Sequence, residues 1–250
     1  MKITYEITPA EVHVVRSFYK KWENDPFVQN RYHRNVAGQS VAINQSKVWE
    51  AVISCLLTSQ QRSGPASAVN RFITRKPFPL RLKACRAHPN PAALTRDTID
   101  SFGGIRRGET IGRQAAFNLQ RLEENGWPDF LDCFTKLKSA PDRQAERQAA
   151  RYVAEYLKGF GPKQSRNLLQ SLGLTRYEIP IDSRITRWLN EFGFPVILTA
   201  QALSNTEYFE FVSDGFQAIC EKAGIYPCLL DAAIFTSYDK GKWQPGNIRW

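Results

Sequence analysis

The chain has 250 residues, which is long enough to bury a substantial core as one domain or as two closely packed lobes. Its 34 lysines and arginines outnumber its 24 aspartates and glutamates, which gives a net charge of +10 at pH 7. This excess favours an anionic partner, most commonly nucleic acid, although many basic proteins bind no anionic macromolecule. No apolar run could span a bilayer and the N-terminus lacks a signal-peptide pattern, so the sequence predicts a protein of the reducing cytoplasm or nucleoid, without membrane contact.

The cysteines indicate neither a disulfide framework nor a metal centre. They are odd in number and scattered, and several lie in apolar runs, which predicts reduced thiols in the core. No CxxC pair indicates zinc, and no tight group of four cysteines indicates an iron–sulfur cluster. The five residues are Cys55, Cys85, Cys133, Cys220 and Cys228.

The first forty residues predict one helix between two irregular segments. Residues 1–7 alternate weakly and predict a short strand or an extended arm, and residues 9–22 predict a helix with one apolar face. Residues 24–40 predict an irregular loop. Its basic side chains are expected to be solvated, with phosphate contact as the minor alternative; they are Arg31, His33 and Arg34.

From residue 46 to Leu57 the pattern predicts a strongly apolar, buried helix, which runs into the polar segment 58–65. This segment has two interpretations. It is a capping loop, or Gln60 or Gln61 is a wedge that enters a DNA duplex where a base has left. Further helices are predicted at 65–73, 95–102, 105–126 and 127–138, with a proline-punctuated connection at 77–91.

The segment 142–173 predicts two helices joined by a tight turn. Apolar residues recur at helical spacing up to Leu157, after a plausible N-cap at Asp142. Gly159 and Gly161 permit unusual backbone angles and let another body approach the main chain closely. A proline suits the first turn of the second helix, and the free N–H groups at that helix start make a ready anion site. After this hairpin the sequence predicts helices almost to the C-terminus.

Three segments resemble the helix-hairpin-helix (HhH-GPD) DNA glycosylase superfamily, which includes endonuclease III and the 8-oxoguanine DNA glycosylases. Residues 157–163 (LKGFGPK) are similar to its hairpin signature. Residues 181–189 (IDSRITRWL) are similar to the segment that begins with its essential aspartate, and residues 56–61 (LLTSQQ) to its intercalating loop. The order and spacing match over residues 45–195. The closest likeness is to the type-2 8-oxoguanine DNA glycosylase/AP lyases, which lack an iron–sulfur cluster, although this chain is longer at both ends.

The resemblance implies an all-α, two-lobed helical fold with a central cleft. Residues 45–175 are expected to form a six-helix barrel-type lobe that ends in the helix-hairpin-helix at 143–173. Residues 1–44 and 176–250 are expected to form a second helical lobe from both termini. The protein is expected to act as a monomer on double-stranded DNA that contains a damaged or modified base.

The resemblance also implies a pair of catalytic residues, Lys163 and, nineteen residues later, Asp182. The neutral amine of Lys163 would attack C1′, displace the base and hold the sugar as a Schiff base, which permits AP lyase cleavage. Asp182 would stabilise positive charge developing on the sugar and shuttle protons from Lys163. The alternatives are a surface lysine that touches phosphate and an aspartate that only caps a helix.

Contacts with DNA are expected from the intercalating loop, the hairpin and the start of the next helix: Gln60, Gln61, Lys158, Gly159, Gly161, Ser165, Arg166 and Arg184. No organic cofactor is expected, but in the family the hairpin carbonyls hold a monovalent cation, here by main-chain oxygens near Leu157 and Phe160. An aromatic residue is expected to stack on the extruded base, with Phe216, Trp243 and Trp250 as candidates that compete with an ordinary core role.

Three functions remain open from the sequence. The first is a bifunctional glycosylase/AP lyase for which 8-oxoguanine is the favoured substrate. The second is the same chemistry on an oxidised pyrimidine or a bulky hypermodified base of the kind that phages use. The third is a helix-hairpin-helix DNA-binding protein without catalysis.

Overall fold

The structure, a computed structural model, describes residues 4–39, 41–239 and 241–248. Within these ranges the regular structure is helical and contains no strand, which confirms the predicted all-α fold. The helices are α1 (Pro9–Trp22), α2 (Pro26–Arg31), α3 (Gln45–Leu57), α4 (Ala68–Ile73), α5 (Leu82–Ala87), α6 (Pro91–Phe102), α7 (Gly108–Arg121), α8 (Trp127–Ser139), α9 (Arg143–Tyr156), α10 (Pro162–Ser171), α11 (Ser183–Phe192), α12 (Thr206–Ala223) and α13 (Pro227–Ser237). Short π-helical segments extend α2 (Tyr32–Val36) and α7 (Leu122–Gly126), and a 3-10 turn covers Ala202–Ser204.

Helices α3 to α10 surround one hydrophobic core. In helix α3 the run from Trp49 to Leu57 is buried apart from Glu50, as expected of a helix that is apolar around most of its circumference. Residues 45–175 contain eight α-helices rather than the predicted six. Two of these helices, α4 and α5, have only six residues each. Helix α4 covers the second part of the helix predicted at 65–73, and α5 lies within the connection predicted at 77–91.

A second core joins the two ends of the chain. Val15 of α1 packs with apolar residues of α11, α12 and α13. A smaller cluster places Phe27 and Val28 of α2 against α13 and Trp243 of the tail. The N-terminal and C-terminal segments therefore form one body that faces the first core.

The segment 24–40 differs from the predicted solvated loop. Asp25 caps α2 by accepting a hydrogen bond from the main-chain N–H of Phe27 at 2.8 Å. Arg34 is buried and donates to the main-chain oxygen of Ser171, and Arg31 is buried to the same extent, with 8 % of its surface exposed. His33 is exposed, as predicted. The solvated prediction is thus wrong for both arginines, because the segment docks against the C-terminal end of α10.

The N-terminal arm and the tail have no regular secondary structure where they are described. Residues 4–8 form no strand, and the Tyr5 hydroxyl donates to the main-chain oxygen of Phe211 at 2.6 Å, which favours the arm over the short strand. Residues 1–3 and the candidate aromatic Trp250 lie outside the described residues. Among the described helices, none combines the length and the apolar character that a bilayer crossing requires.

Candidate active site

A glycine hairpin joins α9 to α10. Asp142 caps α9 by accepting from the main-chain N–H of Ala145 at 2.9 Å, as predicted. Gly159 has φ +89°, a conformation that residues with a Cβ rarely adopt, whereas Gly161 is extended with φ −98°. Between them the buried Phe160 anchors the turn in the first core. Of these two positions, only 159 therefore requires glycine for its backbone conformation.

Helix α7 holds the hairpin in place. The side-chain amide of the buried Asn118 accepts from the N–H of Lys158 at 2.7 Å and donates to its oxygen at 3.0 Å. The Arg121 guanidinium lies 4.0 Å from the ring centroid of Tyr156 and donates to that residue's main-chain oxygen. These contacts leave the N–H groups of Gly159 and Gly161 without an acceptor in the described part of the chain. They are fixed donors suited to an anion.

Lys163 follows in the first turn of α10 and lines a pocket that lies between the two cores. Its side chain is half-buried, and its Nζ makes no ion pair with any described residue. Asp182 lines the same pocket. The fold thus brings the two predicted catalytic residues to one cavity.

Asp182 is the N-cap of α11. One carboxylate oxygen accepts from the main-chain N–H groups of Arg184 and Ile185 at 2.8 and 3.2 Å. The other carboxylate oxygen lies 3.0 Å from the Arg184 guanidinium. The side chain keeps 17 % of its surface exposed. The capping role proposed as an alternative therefore exists, and it orients the carboxylate at the pocket.

Arg184, which the sequence predicts to contact DNA, forms its ion pairs with carboxylates of the protein itself. Its guanidinium bridges Asp182 and Asp239, at 3.0 Å from each, and lies 4.0 Å from the ring centroid of Phe235. Its position beside Asp182 makes it a support for that carboxylate.

Two other predicted DNA contacts need correction. Arg166 is fully buried and forms an ion pair with Glu178 at 2.7 Å. Ser165 is also buried, and its hydroxyl donates to the main-chain oxygen of Pro162. Neither side chain can reach DNA here, because helical periodicity turns both toward the interior. Lys158, by contrast, is exposed on the hairpin.

The two glutamines of the loop after α3 have different environments. Gln61 bridges two loops, since its amide donates to the Leu57 oxygen at 2.6 Å and accepts from the Arg106 N–H at 2.9 Å. Gln60 is exposed and has φ +58°, which is unusual for a residue with a side chain. Arg106 donates to the main-chain oxygen of Gln60 at 2.7 Å. Gln60 is therefore the better candidate wedge, and Gln61 supports the loop.

Aromatic residues from both ends of the chain form one wall of the pocket. Phe27 and Phe235 stack with centroids 5.1 Å apart and an interplanar angle of 19°, and Trp243 lies 4.7 Å from Phe27. Trp243 was predicted as a pocket aromatic, and it lines the pocket. Phe216 instead belongs to the second core. The sequence pattern singled out neither Phe27 nor Phe235.

Buried polar groups complete the pocket. Asp231 accepts from the Gln170 amide at 2.9 Å, and burial raises the pKa of Asp231 to about 6. Arg31 lines the same cavity. All five cysteines are free thiols, and four are buried. Within the described ranges no group of three His, Cys, Asp or Glu side chains could hold a metal ion.

Solved structures show which fold this arrangement belongs to. The 8-oxoguanine glycosylase/lyase of Methanocaldococcus jannaschii in complex with a 15mer DNA containing 8-oxoguanine matches with a TM-score of 0.66 at 14 % identity, over 92 % of this chain and 100 % of that chain. The chain has the fold of the 8-oxoguanine DNA glycosylases.

Further structures agree with this 8-oxoguanine DNA glycosylase fold. A second structure of the M. jannaschii enzyme gives a TM-score of 0.65 at 15 % identity, over 94 % of this chain and 98 % of that one. The 8-oxoguanine DNA glycosylase of Thermotoga maritima gives 0.64 at 13 % identity, over 93 % and 98 %. No family model and no curated protein matches the chain by sequence. The resemblance predicted from three short motifs is thus confirmed by a fold that covers nearly the whole chain.

Proposed function

We propose that the protein is a DNA glycosylase with AP lyase activity, which extrudes and excises a damaged or modified base, with 8-oxoguanine favoured. The observation that carries this proposal is the meeting of Lys163 and Asp182 in one pocket beside the glycine hairpin. A DNA-binding protein without catalysis would not need an unpaired lysine and an oriented carboxylate in one aromatic-walled cavity. The M. jannaschii structure with 8-oxoguanine DNA supports the choice of substrate.

Binding of DNA begins at the hairpin. The free N–H groups of Gly159 and Gly161 and the exposed Lys158 would contact phosphate without reading sequence, which suits action at arbitrary sites. Extrusion of a base costs roughly a few kcal/mol. Gln60, exposed on its loop, would fill the space that the base leaves. The net charge of +10 supports association with DNA of the nucleoid, where we expect the protein to act as a monomer.

The chemistry starts with the neutral amine of Lys163. Its Nζ attacks C1′ of the extruded nucleotide, the glycosidic C–N bond breaks, and the base leaves with the bonding electrons and takes up a proton. The carboxylate of Asp182 stabilises positive charge on the sugar and accepts the proton that Lys163 gives up. Ring opening gives a Schiff base between Nζ and C1′. Loss of a C2′ proton with cleavage of the C3′–O bond then breaks the strand.

A monovalent cation fits the hairpin. The Phe160 main-chain oxygen accepts no hydrogen bond from a described residue, and the Leu157 oxygen accepts only one, from the Phe160 N–H at 3.3 Å. Oxygen donors of this kind suit a hard cation. Leu157 and Phe160 would hold the ion, which would supply positive charge next to a DNA phosphate.

Borohydride trapping on an oligonucleotide panel tests the proposal. The wild-type protein should form a covalent adduct with duplex DNA that contains 8-oxoguanine, because borohydride reduces the Schiff base to a stable amine. Lys163→Gln should lose the adduct completely. Lys158→Gln is the matched control, since it removes an exposed hairpin lysine of equal charge and should still be trapped. Asp182→Asn should retain much of the helix cap and slow excision by at least about 100-fold.

The same panel separates the alternatives. Adducts with oxidised pyrimidines or hypermodified bases, but not with 8-oxoguanine, would keep the chemistry and change the substrate. The absence of an adduct and of excision with every base would leave only a DNA-binding role. Excision by Asp182→Asn at the wild-type rate would end the catalytic assignment of this carboxylate.

A further inference from the structure

Arg31 differs from the other buried arginines of the described residues, because its guanidinium forms neither a hydrogen bond nor an ion pair with a described residue. It is 8 % exposed, and its Nη1 is buried without a hydrogen-bond partner. Its guanidinium makes no ion pair with a described residue and lies 5.5 Å from the ring centroid of Phe27. Arg34 is buried to the same extent but donates to Ser171. Arg166 also has a buried nitrogen without a hydrogen bond, Nη2, but that nitrogen lies 3.6 Å from a Glu210 oxygen and the guanidinium pairs with Glu178. A buried cationic donor without an acceptor is costly, which indicates a missing partner.

The unpartnered guanidinium lines the pocket that contains Lys163 and Asp182. Asp231 lines the same pocket and attracts Arg31 electrostatically without forming a direct ion pair. One Asp231 oxygen accepts from Gln170, and the other has no donor in the described part of the chain. The pocket thus offers a free donor and a free acceptor, with the stacked rings of Phe27 and Phe235 beside them.

We infer that Arg31 and Asp231 read the polar edge of the extruded base, with Arg31 donating to a carbonyl oxygen and Asp231 accepting from the adjacent ring N–H. This inference rests on the proposed glycosylase function and names its substrate class, bases whose six-membered ring has a carbonyl next to a ring N–H. The guanine edge of 8-oxoguanine has this pattern. The corresponding edge of 8-oxoadenine reverses it, with an amino donor next to a ring-nitrogen acceptor.

The physical basis is the cost of leaving buried polar groups unpaired. A base with the matching edge satisfies Arg31 Nη1 and the free Asp231 oxygen, whereas a base with the reversed edge presents a donor to Arg31 and an acceptor to Asp231. Sites built to form hydrogen bonds reject such analogues strongly, because their own groups remain unpaired. Burial raises the pKa of Asp231 to about 6, so that its carboxylate is largely ionised, and therefore an acceptor, at pH 8.

The test compares two reactions under single-turnover conditions at pH 8. Excision of 8-oxoguanine needs recognition of the base, whereas incision at a preformed abasic site does not. Arg31→Met should slow 8-oxoguanine excision by about 10- to 100-fold, with abasic-site incision within about twofold of wild type. Asp231→Leu should have the same selective effect. The wild-type protein should excise 8-oxoguanine faster than 8-oxoadenine. In Arg31→Met the ratio of these two excision rates should fall by about 10- to 100-fold.

Arg34→Met is the matched control, because Arg34 is equally buried but does not line the pocket. It should change both reactions by the same factor. Arg31→Lys, which keeps the charge and folds more easily, should recover part of the 8-oxoguanine excision.

Three outcomes would overturn the inference while leaving the glycosylase function intact. They are full 8-oxoguanine excision by Arg31→Met, equal loss of both reactions in Arg31→Met and Arg31→Lys, and equal wild-type rates on 8-oxoguanine and 8-oxoadenine. A wild-type protein that neither excises a base nor incises abasic sites would instead refute the proposed function, and the inference with it.

Discussion

Gln60 carries backbone strain at an exposed position of the loop after α3. Its φ of +58° costs a residue with a side chain roughly 1–2 kcal/mol relative to glycine. Such strain concentrates at functional sites, where surrounding contacts enforce it. Here Arg106 donates to the Gln60 main-chain oxygen, and Gln61 bridges the same two loops. The loop therefore presents the Gln60 side chain outward at the expense of local stability.

We predict opposite effects on stability and activity at Gln60. Gln60→Gly relieves the positive φ, so the free energy of unfolding should stay unchanged or rise by up to about 1 kcal/mol. Excision from duplex DNA should fall about 10-fold, because nothing fills the vacated stack, while excision from a single strand should not change. Urea unfolding and single-turnover assays measure the two effects.

Gln61→Ala is the comparison for this loop. It should lower the free energy of unfolding by about 1–3 kcal/mol, since its bridging hydrogen bonds are lost. Unchanged duplex excision by Gln60→Gly would remove the wedge assignment.

The hairpin between α9 and α10 is the element on which the site depends. Asn118 fixes both polar groups of the Lys158 peptide unit, and Phe160 anchors the turn in the core. The turn is therefore rigid before DNA arrives, which reduces the entropy lost on binding. The same helix start that we propose to contact phosphate also places Lys163 at the pocket.

The two glycines of the hairpin should respond differently to alanine. A Cβ at Gly159 would lie 2.7 Å from the Gln114 side chain and would have to adopt φ +89°, so Gly159→Ala should lower the free energy of unfolding by about 1–3 kcal/mol. A Cβ at Gly161 would meet no atom within 4 Å, and Gly161→Ala should leave stability within about 0.5 kcal/mol of wild type. Thermal or urea unfolding measures both. Equal destabilisation by the two variants would show that the turn does not require Gly159.

Over the whole molecule, a buried ion network joins the two cores that enclose the pocket. Arg166 of α10 pairs with the fully buried Glu178 at 2.7 Å, and Arg147 of α9 pairs with the same carboxylate at 2.9 Å. Gln217 of α12 donates to Glu178 at 3.1 Å. The network holds α10, which carries Lys163, in a fixed position relative to the body that carries Asp182 and Asp231.

We expect this network to dominate the electrostatic stability of the protein. Arg166→Met should lower the free energy of unfolding by about 3–5 kcal/mol, because it leaves Glu178 buried with less compensation. Arg143→Met breaks an exposed pair with Glu221, also between α9 and α12, and should cost at most about 1 kcal/mol. Urea unfolding at low and high salt compares them. Similar losses in both variants would contradict the dominance of the buried network.

The sequence by itself determined the features that depend on neighbouring residues. Apolar spacing predicted most helices, and Asp142 and Asp182 are the caps that their positions indicated. Gly159 and the lysine after Pro162 identified the hairpin, because a tight turn and a helix start need particular residues at fixed positions. Spacing along one chain segment is sufficient for such inferences.

Only the tertiary structure decided which side chains face the site. It buried Arg166 and Arg31 and chose Gln60 over Gln61 as the exposed residue. It also brought Phe27 of α2 onto Phe235 of α13, from opposite ends of the chain, to form the pocket wall. No local pattern encodes these contacts, because they arise when helices distant in sequence bury their apolar faces together. The hairpin could therefore be predicted from the sequence, and the pocket opposite it could not.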